Sequence, residues 1–90
     1  MAKSNVKKVN IGGAIKMTVC DITETEVNGT DSIGVQGGRV YAVLLQSQDT
    51  SGAMMMHSPR YSVSTSGNVS TITLYVQEGI TTGQLVVFHA

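Results

Sequence analysis

The sequence lacks tryptophan and holds only one phenylalanine and three tyrosines among its 90 residues. Any hydrophobic core must therefore be built from aliphatic side chains. Valine, serine and threonine are abundant, whereas proline occurs once. Because β-branched side chains pack well on a pleated sheet and lose rotamer freedom in helices, this composition favours strands and turns. A chain of this length is sufficient for one domain with one modest core.

Cysteine is also scarce, since Cys20 is the only one in the chain. One cysteine excludes an internal disulfide framework and fits synthesis in a reducing compartment. The N-terminal residues MAKSNVKKVNIGG lack the apolar segment of a signal peptide, and no stretch approaches the roughly 20 apolar residues of a membrane helix. We therefore expect synthesis in a host cytoplasm and no membrane partner.

Charge of one sign does not dominate, because six basic and six acidic residues give a formal net charge of zero. A monomeric nucleic-acid binder normally carries a basic excess that neutralises phosphates, and the composition therefore does not favour nucleic acid as a partner. Weak self-repulsion permits close association with other protein.

Alternating apolar residues predict an all-β fold. In residues 14–22 one face is predicted to carry Ile15, Met17 and Val19, and the other Lys16, Thr18 and Cys20. The nearly continuous apolar run RVYAVLLQ at residues 39–46 predicts a central strand buried on both faces. Residues 61–65 and 69–77 flank Ser66-Gly67-Asn68, which predicts a hairpin with a short loop.

Two further turns are predicted. Asn28-Gly29 favours a two-residue hairpin between a polar strand that begins near Ile22 and a short return at residues 32–35. Ile72, Leu74 and Val76 alternate with polar residues, and the apolar run 85–88 follows a segment containing Gly79 and Gly83. The predicted fold is a small antiparallel β-sandwich or barrel of about six to eight strands that closes with a C-terminal hairpin over residues 71–90.

Signals for catalysis or cofactors are absent from the sequence. Cys20, His57 and His89 have no short metal-ligand spacing, and the acidic stretch 21–31 lacks the calcium-loop pattern. Gly34 to Gly38 precedes a predicted strand and lacks the Lys-Ser/Thr pair of a phosphate-binding loop. No activated-nucleophile motif occurs. We expect no metal, no cofactor and no enzymatic activity.

Residues 1–12 form a candidate basic arm, with residues 13–90 as a single β domain. The arm carries Lys3, Lys7 and Lys8, which are three of the six basic residues, and no acid. One interpretation is a solubilising tail with a short edge strand at residues 6–9. The other is an arm that reaches over an acidic neighbouring subunit.

Three consecutive methionines, Met54, Met55 and Met56, form the second candidate interface. They either fill a buried segment, because thioethers adapt to irregular voids, or form an exposed apolar patch that packs onto a partner. Arg60 and Tyr61 follow shortly after and suit the rim of such a patch, since both residue types are enriched at interfaces.

The layout of the chain resembles the small all-β virion proteins of tailed bacteriophages, especially capsid decoration (cement) proteins and head-fibre-like proteins. The resemblance rests on the basic start MAKSNVKKV and the segments IKMTVCDIT, RVYAVLLQ and ITLYVQEG…GQLVVFHA. It implies a non-enzymatic protein of the virion surface that oligomerises, often as trimers, and binds the major capsid protein or another virion protein. The alternative is a carbohydrate-binding β module of a phage head or tail appendage.

Overall fold

A computed structural model describes residues 2–23, 30–48, 60–75 and 82–90. These residues form seven strands and no helix. The strands are β1 (Ala2–Gly12), β2 (Ile15–Thr23), β3 (Thr30–Gln36), β4 (Val40–Ser47), β5 (Arg60–Ser66), β6 (Val69–Tyr75) and β7 (Thr82–His89).

The strands form two antiparallel sheets that pack together. Sheet A has four strands in the order β1-β2-β7-β4, and sheet B has three in the order β3-β6-β5. The predicted all-β class and strand number are confirmed. Within the described ranges the sheets form an open sandwich, not a closed barrel.

Alternate residues of the inner strands build an aliphatic core between the sheets. On β2 the buried side chains are Thr18, Cys20 and Ile22, which lie on one face as their spacing of two requires. The remaining core residues come from both sheets; they are Ile33, Val35, Val43, Leu45, Ile72, Leu74, Leu85 and Val87. Burial of these apolar side chains is the main favourable term in the folding of so small a domain.

The hairpin predicted around Gly67 is confirmed. Strands β5 and β6 pair in regular antiparallel register, and Ser66 lies opposite Val69 at the turn. Gly67 has a φ of 60°, a left-handed conformation that glycine adopts without steric cost.

One other predicted hairpin is wrong. Strands β6 and β7, which span most of residues 71–90, lie in different sheets: β6 pairs with β3 and β5, and β7 pairs with β2 and β4. The predicted Asn28-Gly29 turn and most of the strand predicted before it lie outside the described residues. Alternation indicates a strand, but it does not identify the neighbour to which the strand bonds.

The prediction of a central strand at residues 39–46 is also wrong. Strand β4 lies at the edge of sheet A, with β7 as its one described neighbour. Its inner residues Val43 and Leu45 are buried, whereas Leu44 on the other face is 56% exposed. The apolar run arises because both faces of this strand are apolar, although the described residues cover only one of them.

The short connection between β3 and β4 fixes how the sheets are stacked. Three residues separate the two strands, a length that spans about 11 Å, close to the spacing of about 10 Å between packed sheets. The edge strands β3 and β4 therefore lie on the same side of the sandwich, and the edge strands β1 and β5 lie on the other. At this connection the Gly37 amide donates to the Asn68 carbonyl at 2.5 Å.

Candidate protein interface

Strand β1 carries the three lysines predicted to contact a partner. All eleven of its residues are exposed, and β2 is its one neighbour among the described strands. Lys3 and Lys8 lie opposite Ile22 and Thr18, on the inner face of the sheet, whereas Lys7 lies opposite Val19 on the outer face. Strand β1 is thus an edge strand that is longer than the strand predicted at residues 6–9. It adds no buried side chain to the core.

The pairing of β1 is irregular. Its register with β2 shifts between Ser4 and Lys7, and Asn5 within this stretch has a φ of 52°. The Asn5 side chain donates from Nδ2 to Oδ2 of Asp21 at 2.8 Å, which helps to hold this conformation. Bulges and lysines on an edge strand hinder pairing with a further strand. Strand β1 is therefore poorly suited to extend the sheet into another molecule.

Strand β5 carries the other predicted interface residues that the structure describes. Arg60 lies over the ring of Tyr75 with 5.9 Å between the guanidinium carbon and the ring centroid. Tyr61 lies opposite the buried Leu74, yet it is 40% exposed because sheet A covers this edge incompletely. The candidates on β1 and β5 thus lie on the same side of the sandwich. Met54, Met55, Met56 and His57 lie outside the described residues.

The outer face of sheet A is a second candidate surface, and it was not predicted from the sequence. Its strands align apolar side chains in two neighbouring rows. The first row is Val9, Met17, Phe88 and Ala42, and the second is Lys7, Val19, Val86 and Leu44. Val9 is 46% exposed and Leu44 is 56% exposed. Between them, Val19 and Val86 are half-buried. A contiguous apolar patch that is accessible to solvent commonly marks a contact with another protein.

Polar residues bound this patch at the next row of the sheet, which is Ser4, Asp21, Gln84 and Gln46. The Asp21 carboxylate accepts hydrogen bonds from Asn5 and, at 3.4 Å, from Nε2 of Gln84. Lys7 and Asp21 are the charged residues in these three rows, one of each sign. The three rows are therefore close to electrically neutral.

The outer face of sheet B has the opposite character. Three of its rows across the strands are Ser32, Thr73 and Ser62; Gly34, Thr71 and Ser64; and Gln36, Val69 and Ser66. In the next row Arg60 lies opposite Tyr75. The hydroxyls of Ser32 and Thr73 are 3.5 Å apart, as are those of Ser62 and Tyr75. A face so rich in hydroxyls is well solvated and suits contact with water.

A polar cluster is buried at the end of sheet A. Nε2 of His89 lies 2.7 Å from Oγ1 of Thr18, and Nδ1 of His89 lies 2.9 Å from the backbone oxygen of Ala90. Because a carbonyl oxygen only accepts, the neutral ring carries its proton on Nδ1 and accepts from the threonine hydroxyl at Nε2. A hydroxyl beside an imidazole resembles a nucleophile and its base. Here His89 is 0% and Thr18 3% exposed, so both side chains are buried in the structure.

The remaining candidates for chemistry are also buried or dispersed. Cys20 lies in the core, and burial raises the pKa of its thiol above the ordinary value, while the Coulombic effect of Lys3 lowers it and that of Asp21 raises it. Among the described residues, no three His, Cys, Asp or Glu side chains are close enough to hold a metal ion. That same part of the chain contains no helix long and apolar enough to cross a membrane.

Comparison with known proteins gives no assignment, because no family model, curated protein or solved structure matches the chain. Any functional inference must therefore rest on the surfaces described above.

Proposed function

We propose that this chain is a non-enzymatic structural protein that binds and stabilises a protein shell, in the manner of a decoration (cement) protein on the capsid of a tailed bacteriophage. The observation that supports this most strongly is strand β1. It is eleven residues long, exposed throughout, and carries three lysines without an acid. A strand that buries no side chain gains little stability from the core of its own chain. Contact with a partner protein would explain why the chain has this strand.

The charges of β1 define the partner that would fit. Lys3, Lys7 and Lys8 favour an acidic protein surface, and complementary potentials accelerate association and select the partner. Arg60 and Tyr61 lie on the same side of the sandwich and extend the candidate contact. A protein that binds neighbouring subunits only in the assembled shell stabilises that shell by mass action.

Co-sedimentation with virus-like particles tests this proposal. The particles would be assembled from the major capsid protein encoded in the same genome. The triple variant Lys3→Gln/Lys7→Gln/Lys8→Gln should bind at least about tenfold more weakly, and binding by the unmodified chain should weaken as salt is added. Lys16→Gln is the control, because Lys16 is an exposed lysine on β2.

The outcome distinguishes the proposal from its alternative. Undiminished particle binding by the triple variant would show that the β1 lysines do not form the contact. No particle binding by the unmodified chain, together with a specific signal on a glycan array, would instead favour a carbohydrate-binding module.

A further inference from the structure

We propose that the outer face of sheet A binds the same face of a second copy of this chain, giving a two-fold dimer with four stacked sheets. The two apolar rows defined above would form the centre of the contact. The Ser/Thr-rich outer faces of the two B sheets would then point away from each other, into solvent. Apart from Lys7, which lies at the β1 end of the second row, this interface involves different residues and a different partner from those of the proposed shell binding.

Two strands of sheet A, β4 and β7, have the composition of strands that are buried on both faces. On β7 the inner residues Leu85 and Val87 alternate with the outer residues Val86 and Phe88, and β4 shows the same pattern at Val43, Leu44 and Leu45. Continuous apolar runs of this kind are typical of strands with protein on each face. Sheet B covers one face, and the other has no described element of this chain upon it.

The charge on this face suits a second copy. In a two-fold contact the same patch meets itself, and a concentration of like charge would oppose association. The two apolar rows and the polar row beside them carry Lys7 and Asp21, of opposite sign, and the whole chain has a formal net charge of zero. Neither the patch nor the molecule therefore repels its own copy strongly.

The size of the face is sufficient for a modest dimer. Four strands at about 4.8 Å spacing and nine residues at about 3.4 Å each define a face of about 600 Å². Two such faces bury about 1,200 Å² in total, which is the lower limit for standard specific interfaces. Two twisted sheets pack in this way with their strands about 30° apart, as the sheets of a sandwich do.

The other route to self-association, through the sheet edge, is less favourable. Strand β1 combines three lysines with register irregularities near Asn5 and Gly12, features that discourage addition of a further strand. Face-to-face packing requires no backbone pairing and is unaffected by these irregularities.

Sedimentation equilibrium of the full chain tests the dimer. The unmodified protein should change from 9.5 kDa to twice that mass with a Kd of about 1–100 μM. Val86→Glu places a charge at the centre of the patch and should raise Kd at least about tenfold. Leu44→Glu should also raise Kd. Because Leu44 is 56% exposed, this substitution should perturb the fold less than Val86→Glu does.

Val69→Glu is the matched control, because Val69 is 48% exposed on the outer face of sheet B. It should change Kd by no more than about twofold. A protein that remains monomeric up to about 1 mM would overturn the proposal. Equal weakening by Val69→Glu and Leu44→Glu, or a mass of three chains, would overturn it as well. Val86 and Leu44 lie on β7 and β4, and their substitution leaves the β1 lysines intact for the particle test.

Discussion

The two outer faces of this sandwich differ although the strands beneath them are built in the same way. The outer face of sheet A presents Val9, Val19 and Leu44 among other apolar residues, whereas that of sheet B presents Ser62, Thr71 and other hydroxyl residues. Each sheet already buries an aliphatic inner face. Packing of the described residues accounts for the inner faces, whereas the apolar outer face of sheet A has no described element upon it. The proposed dimer would cover that face and leave the hydroxyl-rich face in water.

The largest expected effect compares the two faces of a single strand. Leu85→Ala on β7 removes a side chain that is 0% exposed and should lower the free energy of unfolding by about 2–5 kcal/mol. Val86→Ala, its neighbour on the outer face, should cost less than about 1 kcal/mol when the chain is dilute and monomeric. Chemical denaturation measures both. Equal losses would mean that the outer face is part of the fold of a single chain.

A second, smaller effect compares a buried threonine with an exposed one. Thr18→Val removes the hydroxyl that bonds to His89 and leaves Nε2 without that donor, at a cost of about 1–3 kcal/mol. Thr73→Val on the outer face of sheet B should change stability by no more than about 0.5 kcal/mol. Thermal or urea unfolding of the two variants tests the contrast. A neutral Thr18→Val would show that the buried cluster contributes nothing to stability.

The smallest effect concerns the thiol on the inner face of sheet A. Burial raises the pKa of Cys20 above its ordinary value of 9.0, because the folded core disfavours the thiolate. The resulting stabilisation is fully present below that value and is lost as pH rises through the folded-state pKa. The unmodified chain should therefore lose stability above about pH 9 more steeply than Cys20→Val does. Parallel pH profiles from denaturant unfolding would contradict this.

The sequence predicted the strands better than it predicted their neighbours. Alternation at residues 71–75 predicted a strand whose buried residues include Ile72 and Leu74, as the structure has them. Alternation at residues 14–22 predicted the strand β2, but the buried face is the one that carries Thr18 and Cys20, not the more apolar face of Met17 and Val19. Alternation did not predict that β6 and β7 belong to different sheets, because the same pattern fits any pairing partner. The pair of Thr18 and His89 is separated by 71 residues and has no local sequence signal.

The predicted site illustrates the same limit. The basic character of Lys3, Lys7 and Lys8 could be predicted from composition alone, but their placement along an exposed edge required the pairing of β1 with β2. The apolar outer face of sheet A did leave a trace in the sequence, in the continuous runs of β4 and β7. Those runs predicted a central strand because a strand has the same apolar sequence pattern whether its second face is covered by the chain itself or by a partner.

The central claim is that the two outer faces have different partners, and concentration-dependent NMR shifts test it most directly. As the protein is concentrated, the signals of Val19, Leu44 and Val86 should shift together, while those of Ser64, Thr71 and Thr73 should remain in place. Shifts centred on the hydroxyl-rich face, or no shifts at any concentration, would contradict the claim.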